Sequence, residues 1–499
     1  MKKISVIFLA VTLLFSACHT TPQEQGQTDE DKSVKGSASS LITDEPLGGK
    51  PPAGMSSSIK DYDYNLKYKR AFELAVWAMP AVGIYGFRRA TLAIGGSDNT
   101  ILAWSKPAGP NAELLTANDV TPYILSMTDL RKGPVVLEVP PATDKAVLYG
   151  QIVDHWQWAI ADVGPIGKDK GKGGKYLLLP PDYQGKVPAG YMVLHSPSYR
   201  VYFAFRSIKR PGATTAEAYA YSRTLKMYYL NDPQPTQFID PSDMRFATLP
   251  HYDEGFFRDI YEIFTVEKVK PEDKVMMGYM KYLDMEKGKP FDPDEQTVRA
   301  MRQAAADFYY YMQHILQNPP KRFLYWPDRR WQDVLTPDPN GNFSYVTDEM
   351  MDVDMRANRY FFATYYPRSY YSPPANIYIY TMLDKNGNTI DGMKMYKLKI
   401  PKDMPVKQFW SLILYDADTW AFIYTKERKV GISSYEMDKL KKDPDGGVTL
   451  YFGPTPPGGL ENNWIPTGGK RVAPCIRFYG AKQEIIDRSW KMPDVEPAE

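Results

Sequence analysis

Five histidines, at positions 19, 155, 195, 251 and 314, are the entire imidazole supply of this chain, and no two stand three or four residues apart. Metal-binding histidines on one helix face need that spacing, so the sequence predicts neither a metal nor a cofactor. His155 lies in Val153-Asp154-His155-Trp156-Gln157-Trp158. Read as a strand, the run puts Asp154, Trp156 and Trp158 on one face and His155 with Gln157 on the other. An acid beside two indoles can hold a sugar or a cation; the competing reading is aromatics packed against neighbouring elements. Asp384-Lys385-Asn386-Gly387-Asn388 has the composition of a calcium loop, but its glycine comes too early and Met395 stands where a closing Glu is needed. Asn386-Gly387 reads instead as a hairpin turn with positive φ at both central positions. Gly164 to Lys175 lacks the phosphate-loop pattern, and Gly95-Gly96-Ser97-Asp98-Asn99 lacks the second glycine of a nucleophile elbow.

The remaining candidates are Asn118, Asp119, Asp154, Trp156 and Trp158 in the first half, and Arg356, Asp416, Trp420, Asn463, Trp464 and Arg477 in the second. They suit either a ligand groove or buried polar groups that pin loops. Asp119, Asp154 and Asp416 also admit a hydrolase or lyase, since carboxylates do acid and base work without histidine. Two carboxyls about 5 to 10 Å apart in an open cleft would mark an enzyme. A cleft lined by aromatics without paired acids would mark a binder, which is the favoured expectation.

The elements that must position these residues fall into three blocks. A helix is predicted from Lys67 to Met79, stopped by Pro80. Strands follow at Ile101 to Trp104, Pro134 to Val139, Ala146 to Ile160, Tyr176 to Leu179, Tyr191 to His195 and Tyr199 to Ile208, separated by Pro/Gly turns. Helical spacing then marks Thr215 to Tyr229, Tyr252 to Phe264, Pro271 to Lys287 and Asp294 to Gln317, with Asp292 as a cap and Pro293 just inside it. Strands return at Arg359 to Tyr365, Asn376 to Leu383, Met393 to Ile400, Phe409 to Tyr415, Val448 to Phe452 and Val472 to Tyr479. The pattern predicts an α+β, mainly β fold: two antiparallel β-sandwiches, at 61–210 and 351–499, separated by a helical domain at 211–350.

Two sets of residues resemble a tandem of uncharacterised bacterial domains. Gly133-Pro134-Val135-Val136-Leu137, Asp154, Gly164, Gly167, Tyr176-Leu177, Gly185, Pro188-Ala189-Gly190 and Ser196-Pro197 resemble the domain of unknown function 1254. Asp391-Gly392, Tyr396, Pro405, Phe409-Trp410-Ser411, Tyr415-Asp416, Asp445-Gly446, Asn463-Trp464-Ile465-Pro466, Arg477-Phe478-Tyr479 and Trp490-Lys491-Met492-Pro493 resemble its companion, the domain of unknown function 1214. The resemblance implies an N-terminal β-sandwich, a helical middle and a jelly-roll-like C-terminal sandwich, and it implies no activity. The chain departs from the first pattern at Thr116-Ala117-Asn118-Asp119-Val120-Thr121, where the acid directly follows the Asn and Val120 takes its usual place.

The bulk composition supplies an address and excludes some partners. Lys2 and Lys3 precede an apolar run from Ile4 to Phe15, then Ser16, Ala17 and Cys18. This reads as a signal peptide over 1–17 ending at a lipidated Cys18, with a polar tether over 18–60. The expected location is the outer membrane facing the periplasm, the lipid anchor being the membrane contact. Sixty-one basic against 59 acidic residues leave a net charge of +2, which provides no broad field for nucleic acid. The expected partners are a small molecule, a glycan or another protein, with self-association open. With Cys18 lipidated, Cys475 has no disulfide partner and reads as a buried, inert thiol.

Overall fold

Asp61 opens the first described helix, since its side chain accepts a hydrogen bond from the Tyr64 amide at 2.9 Å and so caps α1, Tyr62–Ala93. The computed structural model describes residues 49–52, 54–338, 343–365 and 376–498; Cys18 and the signal peptide lie outside them. Among these residues no helix is long and apolar enough to cross a membrane.

Helix α1 passes through Pro80 instead of stopping there. Every residue from Leu74 to Phe87 is buried, so the helix is apolar on all sides, and neighbouring side chains reach its backbone on either side of the proline. Arg356 Nη2 donates to the Trp77 carbonyl at 2.6 Å, and Gln157 Nε2 donates to that of Pro80 at 2.7 Å. Gly86 permits a close crossing, because a Cβ there would lie 1.8 Å from the Thr248 carbonyl oxygen.

The first β region comprises β1 Ile101–Ala103, β2 Ala112–Glu113, β3 Tyr123–Asp129, β4 Val135–Val139, β5 Ala146–Asp154, β6 Ala159–Val163, β7 Gly174–Leu179, β8 Met192–His195 and β9 Arg200–Lys209. Later segments complete it: β10 Lys226–Tyr229, β11 Phe238–Ile239 and β12 Phe246–Ala247. They form a six-stranded sheet, β11-β1-β3-β9-β5-β6, a four-stranded sheet, β10-β4-β7-β8, and the pair β12-β2. Alternation along β9 explains the layering: Val201, Phe203 and Phe205 join Leu137, Tyr176 and Leu178 of the smaller sheet in one core, while Tyr202 turns to the helices.

Helices α2 Thr215–Ser222, α3 Glu254–Phe264, α4 Lys274–Tyr282, α5 Glu295–Gln317 and α6 Val353–Phe362 follow, and α3 to α6 pack on α1. Three differ from expectation. The helix expected over Thr215 to Tyr229 ends at Ser222, because Lys226 to Tyr229 pair with Val135 to Glu138 as strand β10. Helix α5 is capped by Asp294, whose carboxylate accepts from the Thr297 amide at 2.6 Å, and not by Asp292. The strand expected from Arg359 is the end of α6, capped by Asp352 and buried from Met355 through Phe362. Burial on all sides removes the polar stripe by which a helix is read.

The second β region has β13 Gln332–Asp333, β14 Asn376–Tyr380, β15 Tyr396–Ile400, β16 Val406–Asp416, β17 Gly431–Ser433, β18 Val448–Gly453, β19 Trp464–Pro466, β20 Val472–Ala481 and β21 Glu496–Pro497. They make a five-stranded sheet, β13-β14-β20-β16-β17, and a four-stranded one, β19-β18-β15-β21. Most pairings in both regions are antiparallel; β1–β11, β2–β12, β7–β8 and β18–β19 are parallel. The fold is therefore mixed helix and mostly antiparallel sheet. Asp61–Glu499 forms one compact unit, in which helices, the second β region and one face of the first share a single core.

Candidate functional site at the seam of the two β regions

The segment Thr116 to Thr121, which leads into β3, crosses the face of the five-stranded sheet. Asn118 sets its shape: Oδ1 accepts from the amides of Val120 at 2.7 Å and Thr121 at 3.2 Å, and Nδ2 donates to the Tyr479 hydroxyl. The Thr116 amide donates to the Trp420 carbonyl at 2.8 Å. Arg477 Nη2 donates to the carbonyls of Thr116 at 2.7 Å and Ala117 at 3.2 Å and to the Tyr415 hydroxyl, which in turn donates to Ala117. Alternation along β20 places Arg477 and Tyr479 on this face, with the guanidinium 4.8 Å from the Tyr378 ring centre. Arg206 closes the other side, donating to Thr121 Oγ1 at 2.7 Å and lying 4.2 Å over Tyr123.

Asp119 sits in the middle of this arrangement with Oδ1 buried and without a partner. Burial pushes its pKa up to about 6, against the pull of Arg477; Glu436 adds to the rise. Arg477 Nε is likewise buried and unpartnered. The seam therefore offers an acceptor and a charged donor whose capacity the protein leaves unused, beside tyrosine rings. Of the sequence-derived candidates it gathers Asn118, Asp119 and Arg477. The tyrosines and Arg206 are the residues that reasoning missed; period-two spacing of Arg477 with Tyr479 was the one signal that could have found part of the set.

A second constellation collects Asp154, Trp156, Trp158 and Arg356. Residues 155–158 form the turn between β5 and β6, with Gln157 at φ 65°, so the expected alternation of strand faces does not occur. Asp154 Oδ1 accepts from the amides of Trp156 at 2.9 Å and Trp158 at 2.8 Å, holding the turn, while Oδ2 has no partner. Burial raises this carboxyl to about 6 despite Lys270 and those two bonds. Trp156 packs against Trp77 and Phe264, each with ring centres 5.1 Å away, and beneath the Arg356 guanidinium at 4.7 Å. Lys270 covers Trp158 at 4.6 Å. His155 is buried and its pKa falls well below the usual value, through desolvation and then the charges of Lys270, Arg200 and Arg356. Glu267 nearby accepts from the Tyr199 and Arg200 amides, and burial lifts it to about 7.

The other candidates hold loops. Asp416 accepts from the Asp418 amide at 2.9 Å, and Trp420 packs between Phe362 and Tyr380. Asn463 bonds the backbone of Lys441 and Thr449, and Trp464 Nε1 donates to Gly453 at 3.1 Å. Asp384 Oδ1 accepts from the Asn386 and Asn388 amides at 2.9 Å, and in this turn Gly387 alone has positive φ. The expected pair of positive φ values is thus replaced by an Asp-stabilised turn. Cys475 is buried in β20, and burial raises its thiol pKa. Among the described residues no cluster of three or more His, Cys, Asp or Glu side chains could hold a metal ion.

Residues 99–229 match the family described as Protein of unknown function (DUF1254), and residues 375–483 match Protein of unknown function (DUF1214). No curated protein matches the chain. The crystal structure of the VPA0106 protein from Vibrio parahaemolyticus aligns with 88% of this chain and 100% of its own, at 18% identity and a TM-score of 0.51, a likeness of fold. An uncharacterized protein from Burkholderia cenocepacia aligns over 87% of this chain and 95% of its own, at 11% identity and a TM-score of 0.39. The seam joins the two matched segments, since Asn118 and Asp119 fall in the first and Tyr378, Tyr415, Arg477 and Tyr479 in the second. The chain thus carries a DUF1254 domain followed by a DUF1214 domain, in tandem.

Proposed function

We propose that this protein is an exported lipoprotein, anchored through Cys18 in the outer membrane and facing the periplasm. Its folded part is a non-catalytic binding module whose site is the seam around Asp119 and Arg477. In this reading the two larger sheets of each β region form a β-sandwich, the second jelly-roll-like. The observation that carries it is the unused capacity of Asp119 Oδ1 and Arg477 Nε beside the hydrogen-bonded Asn118, Tyr415 and Tyr479 side chains. A hydroxyl of a small polar molecule, a glycan or a partner's side chain would accept from Arg477 and donate to Asp119, with tyrosine rings beside it.

A carboxylate-dependent hydrolase or lyase is the second reading, favoured by the rise of Asp119 to about 6, which suits a general acid near neutral pH. Against it, Glu436, the acid that most affects Asp119, is engaged in accepting from the Ser433 amide. A thermal-shift screen of the full chain with glycans, lipids and divalent ions tests the binder, because a ligand of the folded state raises the melting temperature with its concentration. Asp119→Asn should weaken the shift while leaving the unliganded melting temperature close to wild type. Turnover of a screened glycan that Asp119→Asn abolishes would replace the binder with the enzyme.

A further inference from the structure

At the end of β3 opposite the seam lies a cavity of about 390 Å³, within the range of small-molecule sites, about 300 to 1,000 Å³. Tyr123, at the seam, and Asp129, by the cavity, are the two ends of that strand, about 20 Å apart for seven residues. The walls include Asp98, Asn99, Lys132, Tyr229, Asn231 and Gln234. Their charges are spent on one another: Asp98 pairs with Arg88 and with Lys132 Nζ, the latter at 2.9 Å. Among the described residues an anion would find no free cation there, and of the two carboxylates in the wall Asp98 is doubly engaged while Asp232 Oδ1 accepts from Gln234 Nε2 at 2.7 Å. Tyr229 donates its hydroxyl to the Asp129 carbonyl at 3.1 Å, which leaves the ring as the apolar part of the wall.

What remains is amide. Asn99 Oδ1 is buried without a partner, on a residue held at φ 67° by its amide bond to the Met127 carbonyl at 2.8 Å. Asn and Gln side chains each donate and accept, which is the pattern a run of hydroxyls requires, and a tyrosine ring suits the C–H face of a pyranose. We propose that this cavity binds a neutral saccharide of one or two rings, independently of the seam. The Ser97 segment, whose sequence does not fit a nucleophile elbow, thereby acquires a role as the wall of a binding site.

The test is titration of the full chain with glucose, N-acetylglucosamine, maltose, cellobiose and trehalose, followed by melting temperature and by saturation-transfer NMR, at low and high salt. At least one of these sugars should bind with an affinity insensitive to salt. Asn231→Trp, an exposed position that can fill the cavity, and Asn99→Asp, which keeps the backbone preference but replaces the donor, should each weaken it about tenfold or more. Asp119→Asn should not. Unliganded melting temperatures near wild type show that the variants fold. Absence of binding by all five sugars, binding that survives both cavity variants, or binding that Asp119→Asn removes would each overturn the proposal. So would a salt-sensitive response to inorganic phosphate that the cavity variants abolish.

Discussion

Asp154 shows how one residue serves geometry with one oxygen while the other bears a burial cost. Oδ1 ties the turn by two amide bonds, whereas Oδ2 meets no partner, and the carboxyl rises to about 6. The folded state holds this proton more tightly than the unfolded chain, so the group's stabilisation is full below pH 4 and is lost as pH rises through about 6. Asp154→Asn keeps the Oδ1 acceptor and removes the ionisation. Relative to wild type the variant should gain stability between about pH 4 and 7, levelling at on the order of 2 kcal/mol, in denaturant titrations at several pH values. His155 contributes with the opposite sign, since its lowered pKa costs stability below the imidazole's ordinary 6.5. That contribution is common to both proteins and leaves the difference intact. A difference that stays flat with pH would mean that Asp154 is not buried as described. At this scale the sequence singled out Asp119 and Asp154 but not their company: Asn118 and Arg477 are hundreds of positions apart, and no local pattern announces that a loop of one β region will cross the sheet of the other.

Helix α1 provides the sharpest tests at the level of elements. Gly83 and Gly86 look alike in sequence, yet a Cβ at Gly83 would meet its nearest neighbours at 3.6 to 3.7 Å, while one at Gly86 would strike the Thr248 carbonyl. Gly83→Ala should therefore be neutral or stabilise by about 0.5 to 1 kcal/mol, the usual helix-interior gain. Gly86→Ala should destabilise by about 2 to 4 kcal/mol, since the obstacle is backbone and cannot rotate away. Chemical denaturation of the pair decides it, and equal effects would count against the close crossing. Strands with clear turns around them, such as those at Tyr176 and Val448, were legible from their apolar and aromatic composition and the flanking turns. Strand β3 was not read, and Ile124 to Asp129 is buried on both faces. The same cause hid α6 and the second half of α1, where burial on all sides leaves no amphipathic spacing to read.

For the molecule as a whole, the shared core means that the helical segment and the second β region should unfold together. Calorimetry of the full chain is expected to show no separate transition for residues 211–350. The proposed address is tested apart from the fold: Cys18→Ser should abolish palmitate labelling and move the protein to the soluble fraction, and labelled, membrane-bound variant protein would sink the anchor. Blocks of strand, helix and strand were readable from composition and spacing. Their mutual burial was not, because it depends on α1 reaching partners that the chain supplies much later.

That dependence has a temporal side. The partners of α1 include Phe264, the α5 helix and Arg356, so the helix is not fully covered on leaving the ribosome until about 260 further residues have followed. A stretch that is apolar all round and waits this long is an aggregation hazard in the nascent protein and a natural target for holding chaperones. In pulse-labelled hydrogen exchange, the amides of 74–87 are expected to become protected late, together with those of 353–362: a helix made well before its partners is among the last to come to rest.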